Sequence, residues 1–275
     1  VVAWTPPVFD DAETYGAAAA RHAIDATRAW GREPVGASAL ASLPEDLPVR
    51  VARAIHRGAE SVWYAHGIPV QWGPPQSGPL IYGFAVQARA RSRGRARGAR
   101  PGDRVFASRA LGADVLVEAH RRGTRTAAQT RSWVRAATQV DADGSGRWRA
   151  AGAARPVGAG GLARACLELA TAWDLDVVLD AARLPVLPGV MEHLLAGIRA
   201  PSGEANRQAC GAAVAVARGV PEAAAQLAFS AEWTGGVTWV EARRGDAGIG
   251  ELRRKRGRRP MVRLMPELDL PSPEH

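Results

Sequence analysis

Apolar and polar positions change period repeatedly along the chain, and the changes mark out alternating helices and strands. Between residues 10 and 31, Tyr15, Ala19, Ala23, Ala26 and Trp30 recur at helical spacing. Asp10 or Asp11 is available as the N-cap there and Gly31 as the stop. A short strand is predicted over 34–43, then a second helix over 48–66 with Val51, Ile55, Ala59 and Val62 on its apolar side. Strands over 68–72 and 80–91 flank the turn-rich Gly73-Pro-Pro-Gln-Ser-Gly-Pro79. A strand over 103–109 and helices over 112–122 and 126–139 come next, then the polar loop Asp141-Ala-Asp-Gly-Ser-Gly146. Beyond it the pattern predicts a helix over 161–173, a strand over 175–179 and a helix over 190–198. Two more helices, 206–218 and 221–229, precede strands over 237–242 and 261–264. The alternation indicates an α/β or α+β fold, without internal repeats.

Composition narrows this. With 275 residues, 47% of them hydrophobic and 23% charged, the chain is long enough for two domains and too apolar to be disordered. The loop 141–146 is the best internal boundary. Two cysteines, Cys166 and Cys210, are no disulfide scaffold. No apolar run approaches the roughly 20 residues of a membrane helix, and the first residues lack a signal-peptide pattern. The expectation is a cytoplasmic protein. A chain that opens on Val1, already in a strand-like run, also raises the expectation of sequence upstream. The formal charge of +9 comes from 36 basic against 27 acidic residues, and only Lys255 is a lysine. A GC-rich coding sequence produces that arginine skew, so the charge is weak evidence for an anionic partner.

Three chemistries can be sought in the residues themselves. Gly158-Ala-Gly-Gly-Leu-Ala163, with Asp180 further on, matches the spacing of a dinucleotide fingerprint. The preceding residues 147–156 make a poor strand, which argues against that reading. The basic runs at 89–104, with Arg89, Arg91, Arg93, Arg95 and Arg97 on one face if extended, and at 253–259 could meet phosphates. Neither is interleaved with aromatics, so a solvated hairpin turn between two strands is favoured over nucleic-acid binding. The six histidines show no ligand spacing with each other or with cysteine, and both cysteines read as core residues. Asp10, Asp11 and Glu13 suit a helix start. Asp174, Asp176 and Asp180 flank one strand and leave a carboxylate set open as a lesser reading.

The order of small motifs says more. Thr5-Pro-Pro-Val-Phe-Asp-Asp11, Tyr15-Gly16, His22-Ala-Ile24, Ala29-Trp-Gly31 and Tyr82-Gly-Phe-Ala-Val86 resemble the N-terminal domain of selenophosphate synthetase (selenide, water dikinase). The resemblance continues through Gly98-Ala-Arg-Pro-Gly-Asp103, Ala110-Leu-Gly112, Leu184-Pro-Val-Leu-Pro-Gly189, Gly203-Glu-Ala-Asn206, Thr234-Gly-Gly236 and Ile249-Gly-Glu-Leu252. It implies the two-domain α/β fold shared with aminoimidazole ribonucleotide synthetase, with domains at 1–145 and 146–275. It also implies a homodimer through the N-terminal domains, nucleotide between the domains, and conversion of ATP, selenide and water to selenophosphate, AMP and phosphate. That chemistry uses ATP and magnesium held by carboxylates.

Departures from the family pattern fall on the chemistry. The family's nucleophilic Cys or selenocysteine, its nearby Lys and its first metal-binding Asp lie upstream of the matched segment. The metal-binding Asp of Thr-Asp-Phe-Phe falls on Ala3. Asn-Ala-Leu-Ser-Asp falls on His22, Ala23, Ile24, Asp25 and Ala26, and the Gly-Gly-His turn on Trp72, Gly73 and Pro74. Thr-Asp-Val-Thr-Gly-Phe-Gly falls on 155–161, which puts Pro156 at the metal-binding Asp and absorbs the dinucleotide-like spacing. Asn206 is kept, but Ala205 replaces an arginine. Remnants of the family's nucleotide site, or neighbours of its positions, are therefore Asp10, Asp11, Asp25, Gly73, Asn206, Thr234, Gly235 and Gly236. With no matched metal carboxylate and no nucleophile, the expectation leans to a relative without catalysis. The competing expectations are an active ATP- and magnesium-dependent enzyme whose Asp10, Asp11 and Asp25 hold the metal, and a basic nucleic-acid-binding derivative.

Overall fold

Asp11 starts the first helix: its carboxylate accepts from the amide of Thr14 at 2.8 Å and from its hydroxyl at 2.6 Å. Gly31, at φ +70°, lets the chain turn out of it. The computed structural model describes residues 1–5, 7, 9–90, 98–131, 153–157, 161–196, 214–216, 237–241 and 248–266. Strand β1 (Val2–Thr5), helix α1 (Ala12–Ala29), strand β2 (Arg32–Leu43) and helix α2 (Val49–Ala65) come first. Two-residue strands β3 (Val70–Gln71) and β4 (Gln76–Ser77) then lead to β5 (Ile81–Ala90). These form one sheet in the order β1-β5-β2-β3, with β4 also on β2. β5 is antiparallel to both β1 and β2.

Alternation in β1 buries Ala3 and Thr5 and exposes Val2 and Trp4. The buried face, with Tyr82, Phe84 and Val86 of β5, packs under α1 and α2. Tyr15 of α1 donates from its hydroxyl to the Thr5 carbonyl at 2.7 Å and so fastens helix to strand. The two helices cross at glycines: a Cβ on Gly16 would stand 1.8 Å from the Ile55 carbonyl oxygen. One on Gly58 would stand 1.9 Å from that of Glu13. The opposite face of the sheet carries Val2, Trp4, Ile81, Leu40 and Ala85, in register across β1, β5 and β2. Val2 and Trp4 are 60% and 47% exposed, so this face is open and apolar.

The second sheet contains β6 (Arg104–Ala107), β7 (Ala153–Pro156), β8 (Leu175–Asp180), β9 (Val214–Val216), β10 (Val237–Glu241), β11 (Gly250–Arg254) and β12 (Val262–Met265). Its order is β7-β10-β6-β11-β8-β12-β9. Helices α3 (Ala113–Arg121), α4 (Gly161–Trp173) and α5 (Val190–Leu195) accompany it. Leu162, Cys166 and Leu169 of α4 and Val177 and Leu179 of β8 are in its core. None of the described helices is long and apolar enough to cross a membrane.

Three expectations change here. The segment 214–216, expected to be helical, is a strand parallel to β12, because Val214 and Val216 suit a pleated partner better than alanine periodicity suggests. Residues 153–156, judged a poor strand, form β7. Among the described residues it is an edge strand paired with β10, and Pro156 ends it, where no amide donor is needed. The basic segment after β11 is not the turn of a hairpin, because β8 lies between β11 and β12. The change of sheet falls between β5 and β6, well ahead of residue 145. The rest of the helix expected over 206–218, the helix expected over 221–229 and the loop 141–146 lie outside the described residues.

Candidate functional site

Helix α1 carries three of the sequence-predicted site residues but does not bring them together. At 1.5 Å per residue, Asp25 lies roughly 20 Å along the helix from Asp11, so Asp10, Asp11 and Asp25 cannot share one metal ion. Asp11 is the N-cap. Asp10 takes a hydrogen bond from Arg121 Nε at 3.2 Å and faces His120 Nε2 at 3.9 Å. Beside them opens a cavity of about 280 Å³ between the start of α1, α3 and residues 127–131. Phe9, Val117 and Ala127 give it apolar walls, and Asp10, Asp11, Thr14, His120, Thr130 and Arg131 its polar ones.

Towards the other end of α1, Asp25 meets Arg109 from the segment after β6 at 3.3 Å. The two side chains are only 13% and 10% exposed. Burial pushes the Asp25 carboxyl above its usual range, while Arg109, Arg28, His66 and Arg21 oppose that shift. One turn before Asp25, burial lowers the Arg21 guanidinium, and neighbouring Arg109 lowers it further. The His22 imidazole is pushed down to about 4 by burial, with the positive field of Arg109 adding to it. Arg28 is held by Glu33 at 3.0 Å. This end of α1 is thus a set of half-buried cations gathered on one carboxylate that is already paired.

The positions where the resemblance places metal carboxylates hold no side-chain ligand. Ala3 is buried opposite Phe84, Ala26 is buried on α1, and Pro156 closes β7. Magnesium needs several oxygen ligands in near-octahedral array. Among the described residues no group of three or more His, Cys, Asp or Glu could hold a metal. Among the described residues, the matched positions offer no carboxylate set that fits that ion.

Gly73 lies in the exposed loop between β3 and β4, with open space around its Cα. Its neighbour Trp72 stacks edge-on against His56, centroids 5.2 Å apart. Asn206, Thr234, Gly235 and Gly236 lie outside the described residues, as do Cys210 and residues 91–97 of the first basic run.

The three aspartates around β8 are structural. Asp176 accepts from the amides of Arg256 at 3.3 Å and Met261 at 3.0 Å and so ties down the basic loop. Asp174 binds Lys255, and Asp180 caps the turn at Ala182 and pairs with Arg183. Cys166 is fully buried, and its thiol is pushed up to about 12, as suits a core residue.

Two participants carry no sequence signal. Arg109 is one arginine among many and gains meaning only from facing Asp25. Arg155 of β7 places its guanidinium 4.2 Å from the Trp30 ring centroid and 5.2 Å from that of Trp173, bridging the ends of α1 and α4. A Trp–Arg–Trp cluster built from residues 30, 155 and 173 cannot be read from spacing.

No protein-family model matches the chain. It is 32% identical over 239 residues to the selenide, water dikinase of Nitratidesulfovibrio vulgaris strain Miyazaki F, covering 84% of this chain and 68% of that one. To the selenide, water dikinase of Burkholderia ambifaria it is 33% identical over 238 residues, covering 84% and 67%. Among solved structures, it is similar to a ThiL complexed with AMPPCP and TMP, at TM-score 0.68 and 18% identity, covering 95% of this chain and 82% of that one. The thiamine-monophosphate kinase of Stenotrophomonas maltophilia gives 0.66 and 20%, covering 95% and 84%. The hydrogenase maturation protein HypE of E. coli gives 0.64 and 17%, covering 100% and 87%. These structural likenesses bear on the fold, which is the expected aminoimidazole ribonucleotide synthetase-like one.

Proposed function

The chain belongs to the selenide, water dikinase family, and on that premise we propose that it keeps the family fold without metal-dependent phosphoryl transfer. The observation that carries this reading is the Asp25–Arg109 pair. The carboxylate nearest the matched metal position already has a guanidinium as its counter-ion, and Ala3, Ala26 and Pro156 supply no side-chain oxygen to replace it. A triphosphate entering such a site would lack the divalent ion that neutralises its charge and stabilises each leaving phosphoryl group.

Two further parts of the proposal concern assembly. The open apolar face around Val2, Trp4 and Ile81 supports a homodimer formed through the first sheet. The change of sheet between Ala90 and Arg104 supports a domain boundary there, which moves the N-terminal unit's end forward from residue 145.

Thermal unfolding with millimolar ATP tests the catalytic part. The expected result is the same midpoint with magnesium and with EDTA. A magnesium-dependent rise that EDTA abolishes would establish an active metal site built from other ligands.

A further inference from the structure

The cavity at the start of α1 is a separate matter, because roughly 20 Å of helix divides it from Asp25. Most of its polar wall accepts rather than donates, with Arg131 a donor at its edge. Arg121 engages Asp10 through Oδ1, and Thr14 engages Asp11 twice through Oδ2. Among the described residues, no hydrogen-bond donor reaches the second oxygen of either carboxylate. His120 Nδ1 lies 3.0 Å from the Arg125 carbonyl, an oxygen that only accepts, so Nδ1 carries the proton. His120 turns Nε2 towards Asp10 Oδ2, 3.9 Å away. The Thr130 hydroxyl spends its proton on the Thr126 carbonyl at 3.2 Å and is likewise left as an acceptor. Three of the polar groups on the wall, the two carboxylates and the Thr130 hydroxyl, therefore ask for donors.

Charge narrows the ligand further. Two carboxylates, Asp10 and Asp11, stand against two guanidiniums, Arg121 and Arg131, so the neighbourhood is close to neutral and attracts neither a cation nor an anion strongly. A phosphate would meet carboxylate oxygens with no proton to share. Hydroxyl groups supply protons without charge. Phe9 and Val117, 6% and 2% exposed, offer an apolar wall to the flat side of a ring. The volume of about 280 Å³ suits a ring joined to a sugar rather than a nucleoside triphosphate.

We propose that this cavity is a binding site for a neutral small molecule bearing a vicinal diol and an apolar ring face, with the Asp10 and Asp11 carboxylates accepting from the diol. It does not depend on the reading of the metal positions.

The test uses the full chain in EDTA, with adenosine, uridine and phenyl β-D-glucoside as probes and titration calorimetry as the readout. At least one probe is expected to bind, with little dependence on added salt. Removing the diol, as in 2′,3′-dideoxyadenosine for adenosine, should weaken binding at least tenfold. Ala127→Phe fills the cavity from a half-buried helical position and should abolish binding while leaving the unfolding midpoint close to wild type. Failure of all three probes at millimolar concentration would overturn the proposal, as would equal binding of the diol and deoxy forms or undiminished binding to Ala127→Phe. Because magnesium is absent throughout, none of these outcomes bears on whether the chain binds metal-ATP.

Discussion

Arg109 and Asp25, 84 residues apart in sequence, form a half-buried ion pair at 3.3 Å that joins the segment after β6 to α1. Removing one partner of such a pair leaves the other charge stranded in low dielectric, which costs about 3–5 kcal/mol. Asp25→Ala is therefore expected to lower stability by an amount near that range in urea unfolding. The double variant Asp25→Ala/Arg109→Met should recover much of the loss, because neither charge is then buried. Equal midpoints for wild type and Asp25→Ala would show that the pair is solvated and contributes little.

His22 gives the protein an acid-sensitive element. Its imidazole titrates at about 4 when folded, against 6.5 when exposed, so the unfolded chain binds more protons between those values. Its contribution to stability is complete above pH 6.5 and is lost as the pH falls towards 4, by at most about 3 kcal/mol. Asp25, raised by burial, changes stability in the opposite sense, which makes the comparison with a variant necessary. Denaturant midpoints measured from pH 7.5 to 4.5 should fall less steeply for His22→Asn than for wild type.

The crossing of α1 and α2 needs its glycines for space. Alanine at position 16 would gain about 1 kcal/mol in helix propensity. It would also drive a methyl group to within 1.8 Å of the Ile55 carbonyl oxygen. Helices locked by this contact cannot separate without losing the core beneath, so overpacking wins, by about 2 kcal/mol or more. Gly16→Ala and Gly58→Ala should both destabilise, whereas alanine at Gly67, which has open space but φ +63°, should cost about 1 kcal/mol through backbone strain alone.

The open face of the first sheet makes a prediction about assembly. Trp4→Arg places a charge in the middle of the apolar row without touching the helix-covered side. Light scattering is expected to report a dimer for wild type and a monomer for Trp4→Arg, with the monomer's unfolding still cooperative. A wild-type monomer at tens of micromolar would remove the dimer from the proposed function.

Much of this architecture was legible beforehand. Helix α1 begins at a capping aspartate and ends before a glycine, and α4 carries a clear apolar stripe, so both follow from local signals. β7 and β9 were missed because each is three or four residues long with small or β-branched side chains, and such runs acquire a conformation only from a neighbour. In the candidate site, the residue types at matched positions could be read directly: Ala3, Ala26 and Pro156 have no side-chain oxygen in any fold. Their surroundings could not, because Asp10, Asp11 and Asp25 look like one acidic set until α1 is straight and rigid between them.

The sequence by itself determined most of the element types, the family and the residues at the matched carboxylate positions, since these depend on side-chain chemistry and on periods of two and 3.6 residues. The tertiary structure alone decided that Arg109 neutralises Asp25, that Arg155 lies between Trp30 and Trp173, and that β8 separates β11 from β12. Those relations join segments tens of residues apart. They are selected by the packing of two whole sheets and their helices, which no local pattern encodes.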